Sequence, residues 1–590
     1  MRIDNQRLSP GSYRLVKGVR LVRRGDSTYA ICDYPMRVVR LTPTIAALLS
    51  LCKQEQTCEQ LAHDLAMPLK RVEMLCDQLR WKMLLEAGPL SPLATWPPVS
   101  IIIPTYNRAR ELERCLRSLF ELDYPTGNLE ILVVDDGSTD TTQSIVQPMI
   151  LEAKALGIGM RIVRHEKQQG VAVSRNTGAQ AAQHALMAYL DSDCVASPTW
   201  LTELVPAFKD ARIAAVGGMI RAYERGSMLG RYEDTRSSLF MGKRAQQVCL
   251  EGPLTYLPTA NLLIRRATWQ QLGGFAPLTF GEDVDFCRRL LATGARILYL
   301  PQGTVYHDYR TTLGAFLRIR VAYASAEAAL LQHHPTERRT LLLPPEQAAF
   351  AGLALGGLCG LAGHARDPIP RQGKREAPTL SHPSPLAPTV PVHHCATRLD
   401  VLGHDGMLGN GRLHARTWRG AGRGKGRVRG DVGASRLPFV CALLLRRRKS
   451  LIISLFLLTL AFVVALVGAG TRLYKVRVRE RLPVSGSLVV WATLRGHMAY
   501  VYHLSRHLTR YYTLPLLLAS MVIPPLAPLL CVLYCIVIGV DYVRLRPDMG
   551  LSEYVLCSML DDCAYEVGVI WGCIKFRMWK PLFPIVRRRM

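Results

Sequence analysis

Two carboxylates stand one residue apart at the end of an apolar run, in residues 188–195 (AYLDSDCV). In an extended strand, residues i and i+2 point the same way, so Asp191 and Asp193 present like charges side by side. Such a pair is unfavourable unless a positive group lies between them. A hard divalent cation bound through carboxylate oxygens is the obvious candidate. For an isolated pair of this kind, the alternative is a polar turn after a strand.

Apolar runs at residues 99–103 and 129–134 are typical of buried strands, and a third strand is predicted at 161–164. Helical patterns separate the three strands. This alternation predicts a doubly wound α/β sheet, whose ligands gather at the carboxyl ends of the strands. Polar clusters fall at these ends: Pro104-Thr105-Tyr106-Asn107, Asp135-Asp136, Arg175-Asn176 and Asp191-Ser192-Asp193. The carboxylate pair therefore belongs to a larger predicted site.

Five motifs occur in order along this region: SIIIPTYNR (100–108), VDDGSTD (134–140), SRNTG (174–178), LDSD (190–193) and GEDVDF (281–286). Together they resemble the motif set of family 2 glycosyltransferases of the GT-A fold. The resemblance covers roughly residues 99 to 330. It implies a Rossmann-like α/β domain at 99–335 that moves a sugar from a nucleotide diphosphate, such as UDP-glucose or a similar donor, to an acceptor hydroxyl.

The resemblance also implies roles for individual residues. Asp136, or its neighbour Asp135, is expected to hydrogen-bond the uracil edge, and Arg175 to help close over it. Asp191 and Asp193 are expected to hold Mg²⁺ or Mn²⁺ against the diphosphate. The residues expected to line the nucleotide-sugar pocket are Pro104, Thr105, Tyr106, Asp135, Asp136, Arg175 and Asp191.

Two further residues are assigned to catalysis by the same resemblance. Asp283 matches the base that removes the acceptor proton in a direct, inverting displacement, and Glu282 is the alternative base. Without the upstream motifs, the two carboxylates could equally be a charged helix N-terminus. His307 is expected either to be a third metal ligand or to be structural. An enzyme requires Asp136, Asp193 and Asp283 to converge on one pocket.

Residues 1–88 precede this domain and are followed by a proline-rich linker at 89–98. Short β-rich runs before three amphipathic helices predict a winged-helix-like unit, in which Thr42 caps the first helix ahead of Pro43. The unit is interpreted as a packing domain, a DNA-binding domain or a peptide-recognition domain. Lys70 and Arg71 are poor support for DNA binding, so no nucleic-acid partner is expected.

The domain order also resembles the membrane-associated glycosyltransferases of mycofactocin systems, which glucosylate a peptide-derived redox cofactor. This resemblance implies a precursor peptide as partner, bound by strand addition. A polysaccharide or glycolipid acceptor at the cytosolic face of a membrane is the alternative. A second alternative is a non-catalytic membrane scaffold that binds a peptide. This alternative predicts no turnover of sugar nucleotides.

Composition bears on location. The 590 residues carry a formal net charge of +28, which suits binding to nucleic acid or to an anionic membrane surface. The chain also contains 16 cysteines, none of which form a C-x-x-C pair. Such cysteine usage indicates free thiols and a cytoplasmic catalytic domain. No apolar secretory segment opens the chain.

The last third of the chain is expected to contact a membrane. Spans are predicted near residues 451–470 and 514–540, the second interrupted by two prolines, and a basic tail favours an even number of spans. Residues 336–450 begin with an apolar segment and continue as a basic low-complexity stretch at 364–437. That stretch is interpreted as a linker or as sequence translated in a shifted frame.

Overall fold

The computed structural model describes residues 11–33, 36–88, 90, 92–250, 254–335, 340–366, 437–482 and 484–587. The two interpretations of residues 364–437 concern a stretch that lies almost wholly outside the described residues. Within them, Met1–Gly363 and Leu451–Met590 form one compact unit. Helices on the two sides of the basic stretch therefore pack together.

The N-terminal region contains two small antiparallel sheets and three helices. One sheet has the strand order β2-β3-β4 and the other β5-β1-β6. The Thr42 side chain accepts a hydrogen bond from Ile45 N–H at the start of α1, which confirms the predicted cap. This arrangement does not by itself establish a winged-helix domain. The elements are β1 (Ser12–Leu15), β2 (Val19–Arg24), β3 (Ser27–Asp33), β4 (Met36–Leu41), α1 (Pro43–Leu51), β5 (Gln56–Thr57), α2 (Cys58–Asp64), α3 (Leu69–Trp81) and β6 (Leu85–Ala87).

The proline-rich segment after β6 packs onto the next domain. The Trp96 and Tyr124 rings lie 5.3 Å apart between centroids, and the Tyr124 hydroxyl donates to the Pro97 carbonyl oxygen at 2.5 Å. Asn128 Nδ2 donates to the Trp96 carbonyl oxygen at 2.8 Å. These contacts fix the entry of the chain into the first strand of the large sheet.

That sheet has eight strands in the order β14-β16-β12-β15-β10-β7-β8-β9. The elements of this domain are β7 (Val99–Thr105), α4 (Ala109–Phe120), β8 (Leu129–Asp135), α5 (Thr142–Ala155), β9 (Gly159–Arg164), α6 (Val171–Ala181), β10 (Leu186–Leu190), β11 (Cys194–Ala196), α7 (Trp200–Leu204), β12 (Ile213–Gly217), β13 (Ile220–Ala222), α8 (Met228–Arg236), β14 (Gln246–Gln247), β15 (Asn261–Arg265), α9 (Arg266–Leu272), α10 (Glu282–Ala292), β16 (Arg296–Tyr299) and β17 (Val305–His307).

Both faces of the sheet are buried. Ile101 and Ile103 of β7 belong to a core cluster that includes Leu116 of α4, whereas Ile102 belongs to a second cluster with Ala179 of α6. This alternation follows from the two-residue period of a strand, since helices cover both sides. It explains why the strand reads as a continuous apolar run.

The predicted alternation of strand and helix holds through β10 and then fails. β7 is parallel to β8 and to β10, but β15 runs antiparallel to both β10 and β12. The chain between β12 and β15 begins and ends at the carboxyl edge of the parallel strands, so β15 must return in the opposite direction. The sheet is therefore mixed rather than wholly parallel.

A small second sheet lies beside this edge. Its order is β11-β17-β13, and Cys194 of β11 is paired with His307 of β17. The backbone N–H of Asp308 donates to the carbonyl oxygen of Asp193 at 2.9 Å. This pairing brings a histidine to a carboxylate that is 114 positions earlier in the sequence.

The remaining elements are mostly helical. They are α11 (Leu313–His333), β18 (Thr340–Leu342), α12 (Pro345–Arg366), α13 (Leu437–Tyr474), α14 (Gly486–Tyr511), α15 (Thr513–Val522), α16 (Leu526–Leu545), α17 (Leu551–Lys575) and β19 (Ile585–Arg587). Among the described residues, two stretches are long and apolar enough to cross a membrane, Lys449–Arg479 and Leu526–Leu545. The predicted span at 514–540 is divided into α15 and α16 at Pro524 and Pro525.

Candidate nucleotide-sugar site

One cleft of about 800 Å³ opens at the carboxyl ends of the parallel strands. It contains Asp136, Asp193 and Asp283, the three residues whose convergence an enzyme requires. The sequence-predicted residues that line it are Pro104, Thr105, Tyr106, Asp136, Arg175, Asp191, Asp193, Glu282, Asp283 and His307. Within the described residues, Asp135 is the predicted site residue that does not line this cleft.

Asp135 is the last residue of β8 and is fully buried. Its Oδ1 accepts a hydrogen bond from Ser138 N–H at 2.9 Å, and its Oδ2 lies 3.4 Å from Arg164 Nη1. These contacts shape the turn after the strand. Of the two candidates for contact with the nucleobase, Asp136 is the one that reaches the cleft.

Asp136 is held by a set of donors at the edge of the cleft. Its Oδ1 faces His165 Nδ1 at 2.7 Å and accepts Gln169 N–H at 2.9 Å, while Oδ2 accepts Gly170 N–H at 2.8 Å. Burial alone would raise the pKa of Asp136, but these hydrogen bonds outweigh it and lower the pKa. The side chain therefore presents a fixed, ionised acceptor.

Arg175 joins two carboxylates at the centre of the cleft. Its Nη2 donates to Asp191 Oδ1 at 2.7 Å and its Nη1 donates to Glu282 Oε1 at 2.5 Å. Burial would lower the pKa of this guanidinium, but the charges of Asp191 and Glu282 outweigh it and raise the pKa. The guanidinium therefore occupies one oxygen of Asp191 and one oxygen of Glu282.

That neighbour, Asp283, lies in the first turn of α10 and is half-buried. Gly281 precedes the helix with φ of 83°, a left-handed conformation that favours glycine. Removal from water, followed by the negative charge of Glu282, raises the pKa of Asp283 to about 8, although Arg175 opposes the shift. A carboxylate with this pKa is a stronger base than an exposed aspartate.

Asp193 lies among basic groups at the other end of the cleft. Arg108 Nη1 donates to its Oδ2, Arg310 Nη1 lies 3.4 Å from the same oxygen, and His307 Nε2 lies 3.4 Å from Oδ1. Burial raises the pKa of Asp193, but His307, Arg108 and Arg310 outweigh it and lower the pKa to about 2. The carboxylate is therefore charged at any pH at which the protein is assayed.

These residues fit a divalent cation. Asp193 Oδ1 and His307 Nε2 are 3.4 Å apart, close to the roughly 3 Å that separates neighbouring ligands of an octahedral ion. The other ring nitrogen, His307 Nδ1, is buried and has no hydrogen-bond partner among the described residues. Carboxylate oxygens suit Mg²⁺ and Mn²⁺, and an imidazole ligand favours Mn²⁺.

Cys194 also lies within this cluster, since its ligand atom and those of Asp193 and His307 are all within 4.8 Å of one another. Burial, followed by the charges of Asp193 and Asp191, raises the pKa of its thiol well above the usual value. The thiolate is the form that binds metals. Mg²⁺ and Mn²⁺ prefer oxygen ligands to thiolate, so Cys194 is not counted among the predicted ligands.

Sequence reasoning missed three of these groups, His165, Arg108 and Arg310. His165 directly follows β9 and lies at the same edge as the predicted clusters, so the strand-end rule would have found it. Arg108 closes the first motif and was not given a role. Arg310 is three residues after His307 and carries no local signal.

Comparison with known proteins agrees with this architecture. The family described as "Glycosyl transferase family 2" matches residues 100–272. The "Pre-mycofactocin glycosyltransferase" of Mycobacterium tuberculosis is 30% identical over 328 residues, which cover 54% of this chain and 63% of that protein. "Glycosyltransferase AglE" of Haloferax volcanii is 29% identical over 208 residues, 35% of this chain and 65% of that protein.

The chain thus spans less than two thirds of the length of these relatives. Among solved structures, the mannosyltransferase PcManGT of Pyrobaculum calidifontis, in complex with GDP-Man and Mn²⁺, is 22% identical with a TM-score of 0.35, covering 44% of this chain and 69% of that one. By the family match, residues 100–272 of the chain are a glycosyl transferase family 2 domain, which forms part of a mixed α/β sheet.

Proposed function

We propose that the chain is an inverting glycosyltransferase that moves a sugar from a UDP-sugar to the hydroxyl of an acceptor. The observation that carries this proposal is the presence of Asp136, Asp193 and Asp283 in one cleft. They come from three separate segments of the chain and serve three different chemical needs. A module that only binds a peptide needs no such convergence.

In this proposal the donor lies across the carboxyl ends of the strands. Thr105 and Tyr106 line the nucleoside end, and Asp136 accepts hydrogen bonds from the base. Asp191, Asp193 and His307 would hold a divalent cation, which would offset the charge that develops on the departing diphosphate. Arg108 and Arg310 add positive charge beside Asp193.

The acceptor hydroxyl approaches from the side of Asp283. Its oxygen attacks the anomeric carbon as the bond to the diphosphate breaks, and its proton passes to the Asp283 carboxylate. One direct displacement inverts the anomeric configuration. Arg175 holds Glu282 and Asp191 in place on the two sides of the reacting centre.

We propose further that the acceptor is a peptide-derived redox cofactor, with the glucosyl group as the sugar. Support comes from the name of the mycobacterial relative and from the order of the N-terminal unit and the transferase domain. A polysaccharide or glycolipid acceptor at a membrane is the alternative. Both acceptors require the same chemistry in the cleft.

The N-terminal unit is proposed to recruit a precursor peptide by strand addition at β2. In the described part of the chain, β2 pairs with β3 on one side and has no strand on the other, whereas β4 at the opposite edge contacts α14. An open edge can accept main-chain hydrogen bonds from an extended peptide.

Hydrogen exchange tests this recruitment. Addition of a synthetic mycofactocin-type precursor peptide to the full chain is expected to slow amide exchange in Val19–Arg24, measured by mass spectrometry, because new main-chain hydrogen bonds protect the edge. A scrambled peptide of the same composition is the control. Unchanged exchange in β2 would leave residues 12–87 as a packing element.

A membrane location is proposed, with the catalytic cleft on the cytoplasmic side. Apolar side chains of α13 are well exposed, including Ile452 and Phe456 at 64% each. Two basic residues, Arg472 in the last turn of the helix and Arg477 just after it, suit an anionic lipid surface. Exposed apolar surface of this extent needs a nonpolar environment.

The proposed reaction is tested by UDP release. Full-length protein in detergent is expected to release UDP from one sugar nucleotide of a panel of UDP-glucose, UDP-galactose and UDP-N-acetylglucosamine, with Mn²⁺ or Mg²⁺ present. Omission of the cation is the control. Absence of release from every donor with either cation would favour the non-catalytic scaffold.

A further inference from the structure

The cleft has a wall that comes from the C-terminal helices. Tyr565 of α17 lines the same cleft as Asp283. Its hydroxyl donates to Glu327 Oε1 of α11, and Tyr511 of α14 donates to the same oxygen at 2.7 Å. Glu327 also lines the cleft. A region that the sequence indicates as membrane-associated therefore lines part of this cleft.

Helix α17 is packed tightly against α11, so the position of Tyr565 is fixed. A Cβ on Gly568 would lie 2.4 Å from the Val321 carbonyl oxygen, and one on Gly572 would lie 2.4 Å from the Ser325 carbonyl oxygen. These neighbours are backbone atoms, which cannot move aside. The two glycines, one turn apart, allow the helices this approach.

A buried charge network sets the register of the same helix pair. Arg320 of α11 donates to Glu233 Oε2 at 2.7 Å and lies 3.1 Å from Asp561 Oδ1 of α17. Tyr232 donates to Asp561 Oδ2 at 3.0 Å, and Arg510 lies 3.2 Å from Asp561. Because a buried charge without its partner is costly, α17 is held in one register.

Aromatic side chains cluster on this side of the cleft. Tyr256, Phe280, Tyr323 and Tyr565 all line it, and the Phe280 and Tyr323 rings are 5.4 Å apart between centroids. Phe280 is three residues before Asp283. Apolar ring surface beside a base suits a substrate that also presents a ring.

We propose that Tyr565 is an acceptor-binding residue and that the C-terminal helices complete the acceptor subsite. The acceptor class is a molecule with an apolar ring face next to the reacting hydroxyl. This inference rests on the proposed glycosyl transfer. It assigns to α17 a role in recognition of the acceptor in addition to any contact with lipid.

Hydrolysis of the donor, in which water takes the place of the acceptor, separates acceptor binding from donor chemistry. Water needs no contact with an aromatic ring. Full-length protein is assayed with the UDP-sugar that it turns over, using water, methyl β-D-glucoside or 4-nitrophenyl β-D-glucoside as acceptor. Tyr565→Ala is expected to raise KM for the nitrophenyl glucoside roughly ten-fold, the size of a lost aromatic contact. Hydrolysis is expected to stay within about two-fold of wild type, since the donor side is unchanged.

Two variants separate recognition from folding. Tyr565→Phe retains the ring and loses only the hydrogen bond to Glu327, so its KM is expected to stay near wild type. Tyr554→Phe is the matched control on the same helix, because Tyr554 is buried and does not line the cleft. Its KM and hydrolysis are expected to be unchanged.

Parallel loss of hydrolysis and transfer in Tyr565→Ala would overturn the proposal, as would an unchanged KM. Two results with wild-type protein that hydrolyses the donor would also overturn the proposal. One is a preference for the methyl glucoside over the nitrophenyl glucoside, and the other is no transfer to either glucoside. Failure of the proposed function itself has a different signature, namely no UDP release with any acceptor, and it would remove the basis of this inference.

Discussion

Asp283→Asn is expected to lower the rate of sugar transfer by roughly 10² to 10⁴, the usual contribution of a general base. Asparagine keeps the shape of the side chain but cannot accept the proton of the acceptor hydroxyl. Binding of the sugar nucleotide is expected to survive, because the donor contacts lie at other residues of the cleft. Transfer is measured by steady-state kinetics and donor affinity by calorimetry.

The pH dependence identifies the base independently. The pKa of Asp283 is raised to about 8, so wild-type kcat/KM is expected to rise with pH until the carboxylate is ionised. Glu282 contributes to that shift, so Glu282→Gln is expected to move the rise to lower pH and to keep the plateau rate. Loss of the plateau in Glu282→Gln would instead make Glu282 the base.

Stability provides a second readout for the same residue. Between pH 4 and about pH 8 the unfolded chain releases the Asp283 proton while the folded chain retains it, so wild-type stability falls as pH rises. The asparagine variant lacks this penalty. Its melting temperature relative to wild type is expected to increase through that window and to level off above it.

Asp193→Ala is expected to lower turnover by about 10³-fold or more, because it removes the carboxylate that fixes charge at the diphosphate end of the cleft. EDTA is expected to have the same effect on the wild type, and added Mn²⁺ to reverse it. In the variant, added Mn²⁺ is expected to restore nothing. Turnover that persists in Asp193→Ala with excess chelator would contradict the role in metal binding.

Cys194→Ala is the matched control. Cys194 is adjacent in sequence and lies within the same cluster, but Mg²⁺ and Mn²⁺ prefer oxygen ligands to a thiol. Its dependence on Mn²⁺ is expected to equal that of the wild type. A shift of the Mn²⁺ requirement in this variant would make the thiol a ligand.

Much of the transferase domain could be predicted from local pattern. The apolar run at 99–103 lies in β7 and the run at 129–134 in β8, because strands buried on both faces retain no polar alternation. Ligands of such sheets gather at the carboxyl ends of the strands, which predicted that Asp136 and Asp191 lie at one edge of the sheet. These features depend on neighbouring residues alone.

The features that the sequence did not predict depend on distant residues. The contact between Arg310 and Asp193 follows from the pairing of β11 with β17, which no local period encodes. Tyr565 reaches the cleft because glycines allow α17 to pack closely against α11. A long stretch of sequence without apolar periodicity separates these two helices. Helix α17 also carries Asp561 and Asp562, so hydropathy did not reveal it.

The central claim is that one cleft takes a nucleotide diphosphate together with a divalent cation at Asp193. Calorimetric titration of the full chain with UDP, with and without Mn²⁺, tests it most directly and needs no acceptor. Mn²⁺ is expected to tighten UDP binding at least about ten-fold in the wild type and in Asp283→Asn, but not in Asp193→Ala. UDP binding that is absent, or that is equally tight without Mn²⁺, would contradict the claim.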